Sequence, residues 1–312
     1  MQNSNLLPEK LKPGDVIGIV SPSEPVRTEQ EAHYAAGVAW LERQGFAIRE
    51  GSHVRVTASG EAPTGAQKAA DLNGMFADPD VKAIICSQGG DSAQDCLTYI
   101  DWDCIRKNPK IFTGISDITV LLNAIYRETG LVTFHGNDVV WGLGRKPHVY
   151  DRSEFVNRFM EGVIGDIPAY RQRLVVRSGN AEGRLFGGNL RCLLKLAGTE
   201  YFPYMEGAIL FMEALRVTPE TIEAYFEVLQ REGVFDQING AIVGYIHSAQ
   251  KRGGLASPME EILVHKSAGY DFPILKVNDF GHNCPNTVLP VGVHARVDCG
   301  DLSVELLEKY VQ

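Results

Sequence analysis

The chain has 312 residues, 44% of them hydrophobic, and a formal net charge of −9. That length and apolar content allow a sizeable core and more than one domain. The acidic balance, with no Lys/Arg run, excludes a nucleic-acid surface and leaves small molecules or peptides as the expected ligands.

The opening stretch MQNSNLLPEKLKPGD lacks a basic segment followed by an apolar one, and no apolar run of about 18 residues occurs. Neither a signal peptide nor a membrane span is expected. Six cysteines (Cys86, Cys96, Cys104, Cys192, Cys284, Cys299) are scattered without a C-x-x-C pair. In a chain of this length they predict reduced, mostly buried thiols in a cytoplasm. His282-Asn283-Cys284 offers ligand types for a metal, but no second pair at ligand spacing supports it, so no metal site is expected.

In chain order, VIGIV at 16–20 reads as a buried strand after Pro13-Gly14. A helix is predicted from Glu29 to Gln44 with Ala32, Ala35, Ala36, Ala39 and Trp40 on its apolar side, then a strand over Phe46–Arg49. Residues 59–66 read as loop, Lys68–Phe76 as helix and Val81–Cys86 as strand, ending in Ser87-Gln88-Gly89-Gly90-Asp91-Ser92 and a helix to Ile100. Ile111–Ile115 and Leu131–His135 are further strands separated by a helix. Strands alternating with helices predict a parallel α/β sheet for this half. From 142 to 180 Gly, Arg, Pro and Asp rise and the apolar pattern weakens, which marks a linker carrying one short helix, Ser153–Glu161. The second half reads as helix (Leu190–Leu196), strand (Ala208–Met212), a long amphipathic helix (Pro219–Glu232), strand (Ala241–Ile246), loop (249–257), helix (Met259–His265) and strand (Ile274–Val277). Val288–Arg296 and Leu302–Leu307 alternate as strands do. The predicted division is 1–145, a linker at 146–180, and 181–312.

The chemistry centres on Gly114-Ile115-Ser116-Asp117, at the junction of a strand and a helix. A serine on such a turn is held out at the sheet's tip, beside helix N–H groups whose positive dipole end favours an oxyanion. Gly114 fits a nucleophile elbow, whereas Ile118 stands where the hydrolase elbow has glycine. The alternative is that Ser116 is an N-cap. Gly89-Gly90 ends the neighbouring strand–helix unit, where its amides can complete an oxyanion hole with the N–H of Asp117. No G-K-[ST] follows, so it is not a phosphate loop.

A serine needs a base, and the base an orienting group. His282 follows a strand on a Gly-flanked loop, and Glu213 ends an apolar strand, where an acid is costly unless paired or functional. The order Ser116, Glu213, His282 places the acid before the histidine, as in some hydrolases. A solvated loop histidine and a capping or ion-paired glutamate remain the alternatives, because spacing alone does not bring the three together.

LKPGDVIGIVSPS at 11–23, GGDSAQDCL at 89–97, GISDIT at 114–119, TFHG at 133–136, GRLFGGNL at 183–190, ILFMEA at 209–214 and DFGHNCPNTVLPVG at 279–292 carry a family resemblance. Together they resemble the LD-carboxypeptidase family of serine peptidases, which includes the microcin C self-immunity proteins. The resemblance implies Ser116 as nucleophile, Glu213 as orienting acid and His282 as base, with no metal or cofactor. It implies an N-terminal parallel α/β domain and a C-terminal mixed or largely β domain with flanking helices, the site lying in the groove between them. It also implies a cytoplasmic homodimer and puts the Asp117 side chain at the substrate rim. Two substrate classes follow: murein tetrapeptide, cut at an L-to-D bond, or a peptide or amino acid joined by an amide to a nucleotide-like group. Ala214 replaces the aspartate usual after the glutamate in murein-recycling members, which favours the self-immunity branch. The short linker, with Trp141 and Tyr150 as nearby aromatics, argues against base stacking. A binding protein without chemistry, and an esterase or acyltransferase with the same triad, are the rival readings.

Overall fold

A computed structural model describes residues 5–57, 60–250 and 254–312 of the chain. In chain order the strands are β1 (Val16–Val20), β2 (Ala47–Glu50), β3 (Val81–Cys86), β4 (Ile111–Gly114), β5 (Thr133–His135), β6 (Gly165–Asp166) and β7 (Leu174–Arg177). They continue as β8 (Asn180–Asn189), β9 (Ile209–Leu215), β10 (Gly240–His247), β11 (Ile274–Gly281), β12 (Leu289–Val291), β13 (His294–Asp298) and β14 (Ser303–Leu306). The helices are α1 (Glu31–Arg43), α2 (Gly65–Ala77), α3 (Trp102–Lys107), α4 (Thr119–Thr129), α5 (Val149–Phe155), α6 (Leu190–Leu193), α7 (Pro219–Arg231), α8 (Val234–Gln237) and α9 (Pro258–Lys266).

Among the described residues the strands build two sheets. The first has the order β12-β5-β4-β3-β1-β2 and is parallel from β5 to β2. Its outermost strand is β12, which the sequence had suggested only as part of the tail; it pairs antiparallel with β5, Leu289 opposite His135. The second is a mixed sheet, β6-β14-β13-β8-β9-β10-β11-β7, parallel from β8 to β11 and antiparallel toward both edges. The expected α/β architecture, a parallel sheet followed by a mixed one with flanking helices, is what the chain adopts. The 142–180 stretch is better ordered than its composition suggests. It holds α5, a π-helical turn over Val156–Glu161, and β6 and β7, both edge strands of the second sheet.

Helix α4 explains how the sheets meet. Val120, Leu121, Leu122, Ala124 and Ile125 are all buried, while Tyr126, Arg127 and Glu128 at its end are half-buried. It packs on β5 and on β8. Its buried Asn123 both accepts from the Gly187 amide (3.3 Å) and donates to the Gly187 carbonyl (2.9 Å). Gly187 (φ +141) has no room for a side chain: a Cβ there would lie 1.8 Å from the Phe211 carbonyl oxygen.

Some expectations shift. Helix α1 buries Tyr34, Gly37, Trp40 and Leu41, not its alanine face, because Gly37 packs directly on the chain at Val139, where a Cβ would meet the carbonyl oxygen at 2.2 Å. Within 59–66, residue 59 lies outside the described residues, and Gly65 and Ala66 already belong to α2, capped by Thr64. Of the loop predicted at 249–257, residues 251–253 lie outside them as well. The six cysteines are free, with Cys104 and Cys284 half-buried and the others buried. No helix among the described residues is long and apolar enough to cross a membrane.

Two glycine substitutions separate close packing from mere conformational freedom. Gly187→Ala is expected to cost roughly 3 kcal/mol or more in urea denaturation. Gly74→Ala, on α2 with open space around it, is expected to gain up to about 1 kcal/mol.

Candidate active site

Strand β4 ends at Gly114, and Ser116 follows at φ +64, a left-handed backbone that only a tight strand-to-helix turn justifies for a residue with a side chain. Gly114 makes the turn possible: a Cβ there would stand 2.9 Å from the Ile118 Cγ2, so Ile118 takes up the space a second glycine would leave open. The N-cap positions of the turn and of α4 fall on Ile115 and Ile118, so Ser116 is not an N-cap.

Gly89 abuts the serine. A Cβ on it would lie 2.6 Å from Ser116 Cβ, 2.9 Å from its Oγ and 3.2 Å from the Asp117 nitrogen. Gly89 thus packs directly against the Ser116 hydroxyl and the Asp117 amide. Gly90 (φ +156) also lines the cavity, but its Cα packs toward Ser23 and Glu24, farther from the hydroxyl.

The Asp117 side chain is not at a substrate rim, contrary to what the resemblance implied. It is fully buried and accepts from Ser23 Oγ (2.6 Å), the Ala93 amide (2.8 Å) and Lys195 Nζ (2.6 Å). Lys195 comes from the turn after α6 and also pairs with Asp91 at 2.7 Å. A buried carboxylate survives only with such a complete set of partners, and this set fixes the turn that carries Ser116.

Glu213 and His282 come from β9 and from the residue after β11, two strands of the second sheet. Glu213 Oε2 accepts from His282 Nδ1 at 2.7 Å, and Glu213 Oε1 accepts from Asn189 Nδ2 at 2.8 Å. The glutamate is fully buried. Burial would raise its pKa, but the imidazole beside it holds it below the usual carboxylate value. Burial would likewise lower the histidine's pKa, and the Glu213 carboxylate overcomes this and holds it above 6.5. The bond at Nδ1 leaves Nε2 as the free ring nitrogen.

The histidine's loop is tied to the first lobe by Asn286. That side chain accepts from the Gly281 amide (2.7 Å) and donates to Asn137 Oδ1 (3.0 Å), and its own amide donates to Asp151 Oδ1 (2.7 Å). Ser116, Gly89, Gly90 and His282 open on one cavity of about 610 Å³. No hydrogen bond joins Ser116 Oγ to His282 among the described residues. Nor does any group of three or more His, Cys, Asp or Glu there stand close enough together to hold a metal.

Three contributors escaped the sequence reading. Asn189 follows the two glycines at the end of β8, a visible signal, yet only pairing of Asn189 with Glu213 across β8 and β9 gives it meaning. Asn286 sits in a quoted motif without a pattern of its own. His135 is fully buried, both ring nitrogens lack a hydrogen-bond partner, and its ring makes edge contacts with Phe211 and Phe280.

Comparison with known proteins matches this geometry to a family. Residues 17–136 match the LD-carboxypeptidase N-terminal domain and residues 182–297 its C-terminal domain. The microcin C7 self-immunity protein MccF of Escherichia coli is 30% identical over 339 residues, covering 100% of this chain and 98% of that protein. A probable murein peptide carboxypeptidase of Bacillus subtilis (strain 168) is 30% identical over 303 residues, covering 95% of this chain and 93% of that protein. The structure of MccF in complex with aspartyl sulfamoyl adenosine superposes with a TM-score of 0.91 at 29% identity, covering 98% of this chain and 100% of that one.

His135 makes the stability of the site pH-dependent. Burial pushes its pKa from 6.5 down to about 4, the Glu213 carboxylate offsetting part of the effect. The unfolded imidazole therefore binds a proton near pH 6.5 that the native one refuses until about pH 4. Stability is expected to fall as pH drops through that window, by about 3 kcal/mol in all. Urea denaturation at several pH values should show a shallower fall for His135→Leu; an unchanged slope would assign the acid sensitivity elsewhere.

Proposed function

The chain belongs to the LD-carboxypeptidase family and is a serine-type carboxypeptidase, and on that premise we propose that Ser116, His282 and Glu213 are its nucleophile, base and orienting acid. One observation carries the assignment: a fully buried carboxylate bonded at 2.7 Å to an imidazole that lines the same cavity as a serine at φ +64. In this reading residues 1–145 supply the serine and 181–312 the acid and base, joined by 146–180.

The reaction is acyl transfer to water. His282 Nε2 removes the Ser116 proton as Oγ attacks the scissile carbonyl carbon. The amides of Gly89 and Asp117 donate to the oxyanion that forms. As the intermediate collapses, the C–N bond breaks and His282 gives the proton to the departing amine. Water then attacks the acyl-serine by the same base and restores the hydroxyl. Glu213 holds the imidazole in the Nδ1–H tautomer and stabilises the imidazolium. The serine–histidine bond tightens only when substrate is seated, as catalytic hydrogen bonds often do.

The substrate is a small peptide or a peptidyl-nucleotide conjugate cut at its terminal amide. MccF, whose solved complexes hold glutamyl sulfamoyl guanosine and aspartyl sulfamoyl adenosine, favours the conjugate; the murein-peptide relative favours the peptide. Amine release from a murein tetrapeptide and from an aminoacyl sulfamoyl adenosine, run in parallel, decides between them. Ser116→Ala is expected to lower kcat about 10⁴-fold or more on whichever is cleaved. Undiminished turnover by that variant would overturn the assignment.

The coupling of the acid and base also sets the pH profile. His282 works as a base only when neutral, so kcat/KM is expected to fall as pH drops through a value above 6.5. In Glu213→Gln the carboxylate is gone and burial dominates. The acidic limb should move to lower pH while kcat falls by about 10² to 10⁴. A limb that stays in place would separate Glu213 from the base.

A further inference from the structure

The acids lining the cavity are satisfied from within the protein. Glu24 accepts from Arg27 (3.3 Å), Asp138 Oδ1 accepts the amides of Trp141 (2.7 Å) and Gly142 (2.8 Å), and Asp151 accepts the amides of His148 (2.6 Å) and Asn286 (2.7 Å). Arg145 is engaged too, its guanidinium 4.2 Å from the Trp141 ring centroid and 3.3 Å from Asn283 Oδ1. Arg216 and Lys146 line the same cavity, and among the described residues neither side chain has a hydrogen-bond or ion-pair partner.

An exposed cation is ordinarily just solvated. The backbone sets these two apart: Arg216 lies at φ +52 and Lys146 at φ +61. Among the described residues six non-glycine residues adopt a left-handed φ, and four of them, Ser116, Lys146, Arg216 and Asn283, line this one cavity. Except for Asn283, whose residue type tolerates this backbone, each is held against its own conformational preference, and strain of this kind collects where a side chain must be aimed. Ser116 and Asn283 are the nucleophile and the neighbour of the base. Arg216 is presented at the same place, on the residue after β9, the strand that carries Glu213.

It lines the same cavity as His282, three residues along the chain from Glu213, which holds that imidazole. In the proposed mechanism His282 hands its proton to the scissile nitrogen as the leaving group departs. When that group is a single C-terminal amino acid, its carboxylate is two bonds from that nitrogen. In an aminoacyl sulfamate the scissile N–H is itself acidic, and its negative charge is shared with the sulfonyl oxygens on the adjacent sulfur. A guanidinium that opens on the cavity holding both Ser116 and His282 can meet that anion, and its planar fork suits either acceptor.

We propose that Arg216, assisted by Lys146, determines specificity by binding an anion that the leaving group carries next to the scissile nitrogen. This deepens the reading of Ser116, Glu213 and His282, on which it rests. It explains how a serine hydrolase with this groove selects terminal amides: an internal peptide bond offers no charge there.

Binding separates this idea from the chemistry. The Ser116→Ala protein is titrated calorimetrically with two matched pairs. One pair is the murein tetrapeptide with its terminal carboxylate and the same peptide as a terminal carboxamide. The other is aspartyl sulfamoyl adenosine and the aspartyl amide of 5′-amino-5′-deoxyadenosine, which is uncharged at that position. In whichever pair binds, the anionic member is expected to bind at least about 10-fold more tightly. Adding Arg216→Ala, or Arg216→Asn, which tolerates the left-handed backbone, should shrink the preference to within about twofold. Arg216→Lys should retain part of it, and Lys146→Ala should lose less than Arg216→Ala. The peptide pair responding places the anion on a C-terminal amino acid; the nucleoside pair responding places it on the conjugate linkage. A preference unchanged without Arg216, or no binding of either anionic ligand, overturns the proposal. Fluorophosphonate labelling of Ser116 in the otherwise unaltered protein reports separately on the nucleophile, so a failed triad shows as lost labelling with the anion preference intact.

Discussion

A single buried carboxylate holds the turn that carries Ser116 in place. Asp117 draws together a hydroxyl from the loop after β1 (Ser23), an amide from the loop after β3 (Ala93) and an ammonium from the second lobe (Lys195). Removing a carboxylate from water costs several kcal/mol, and it is tolerable only when every lone pair finds a donor. Because those donors come from separate segments, the charge acts as a geometric constraint on all of them at once. The left-handed backbone at Ser116 is stable only inside that constraint. The residue after the serine thus serves through its side chain as an anchor and, in the proposed mechanism, through its amide as a donor to the oxyanion.

A second chain of contacts runs from packing to chemistry. Gly187 lets β8 pass close beneath β9, and Gly188 lies against Thr119, whose hydroxyl accepts from the Asn189 amide at 2.9 Å. That fixes Asn189, which holds one oxygen of Glu213, whose other oxygen holds His282. Thr119 stands at the start of the helix that Ser116 introduces. Ser116 and the Glu213–His282 pair, though on different sheets, are therefore referred to one helix terminus. Close backbone packing where the lobes meet, rather than any long reach of side chains, sets their mutual position.

This division explains what could be read from the sequence. Apolar runs such as VIGIV and VKAIIC became strands, and the Gly-Ile-Ser-Asp junction became a tight turn, because local patterning dictates both. Glu213 stood out because an acid at the end of an apolar strand is costly. The face of α1 was misread: spacing selected the alanines, but the close approach at Gly37 turned Tyr34 and Leu41 inward. The burial of Asp117 was hidden because its partners lie 94, 24 and 78 residues away. The roles of Asn189 and Asn286 were invisible for the same reason. Sequence patterns report what a residue does to its neighbours along the chain, and these residues act across it.

The return of β12 to the first sheet has a consequence for how such a chain can be divided. His282 lies on the segment between β11, in the second sheet, and β12, in the first. The two lobes are stitched together at His282, so neither can be exchanged as a separate cassette. A fragment ending before Leu289 would leave β5 as a raw edge, open to pairing with other chains.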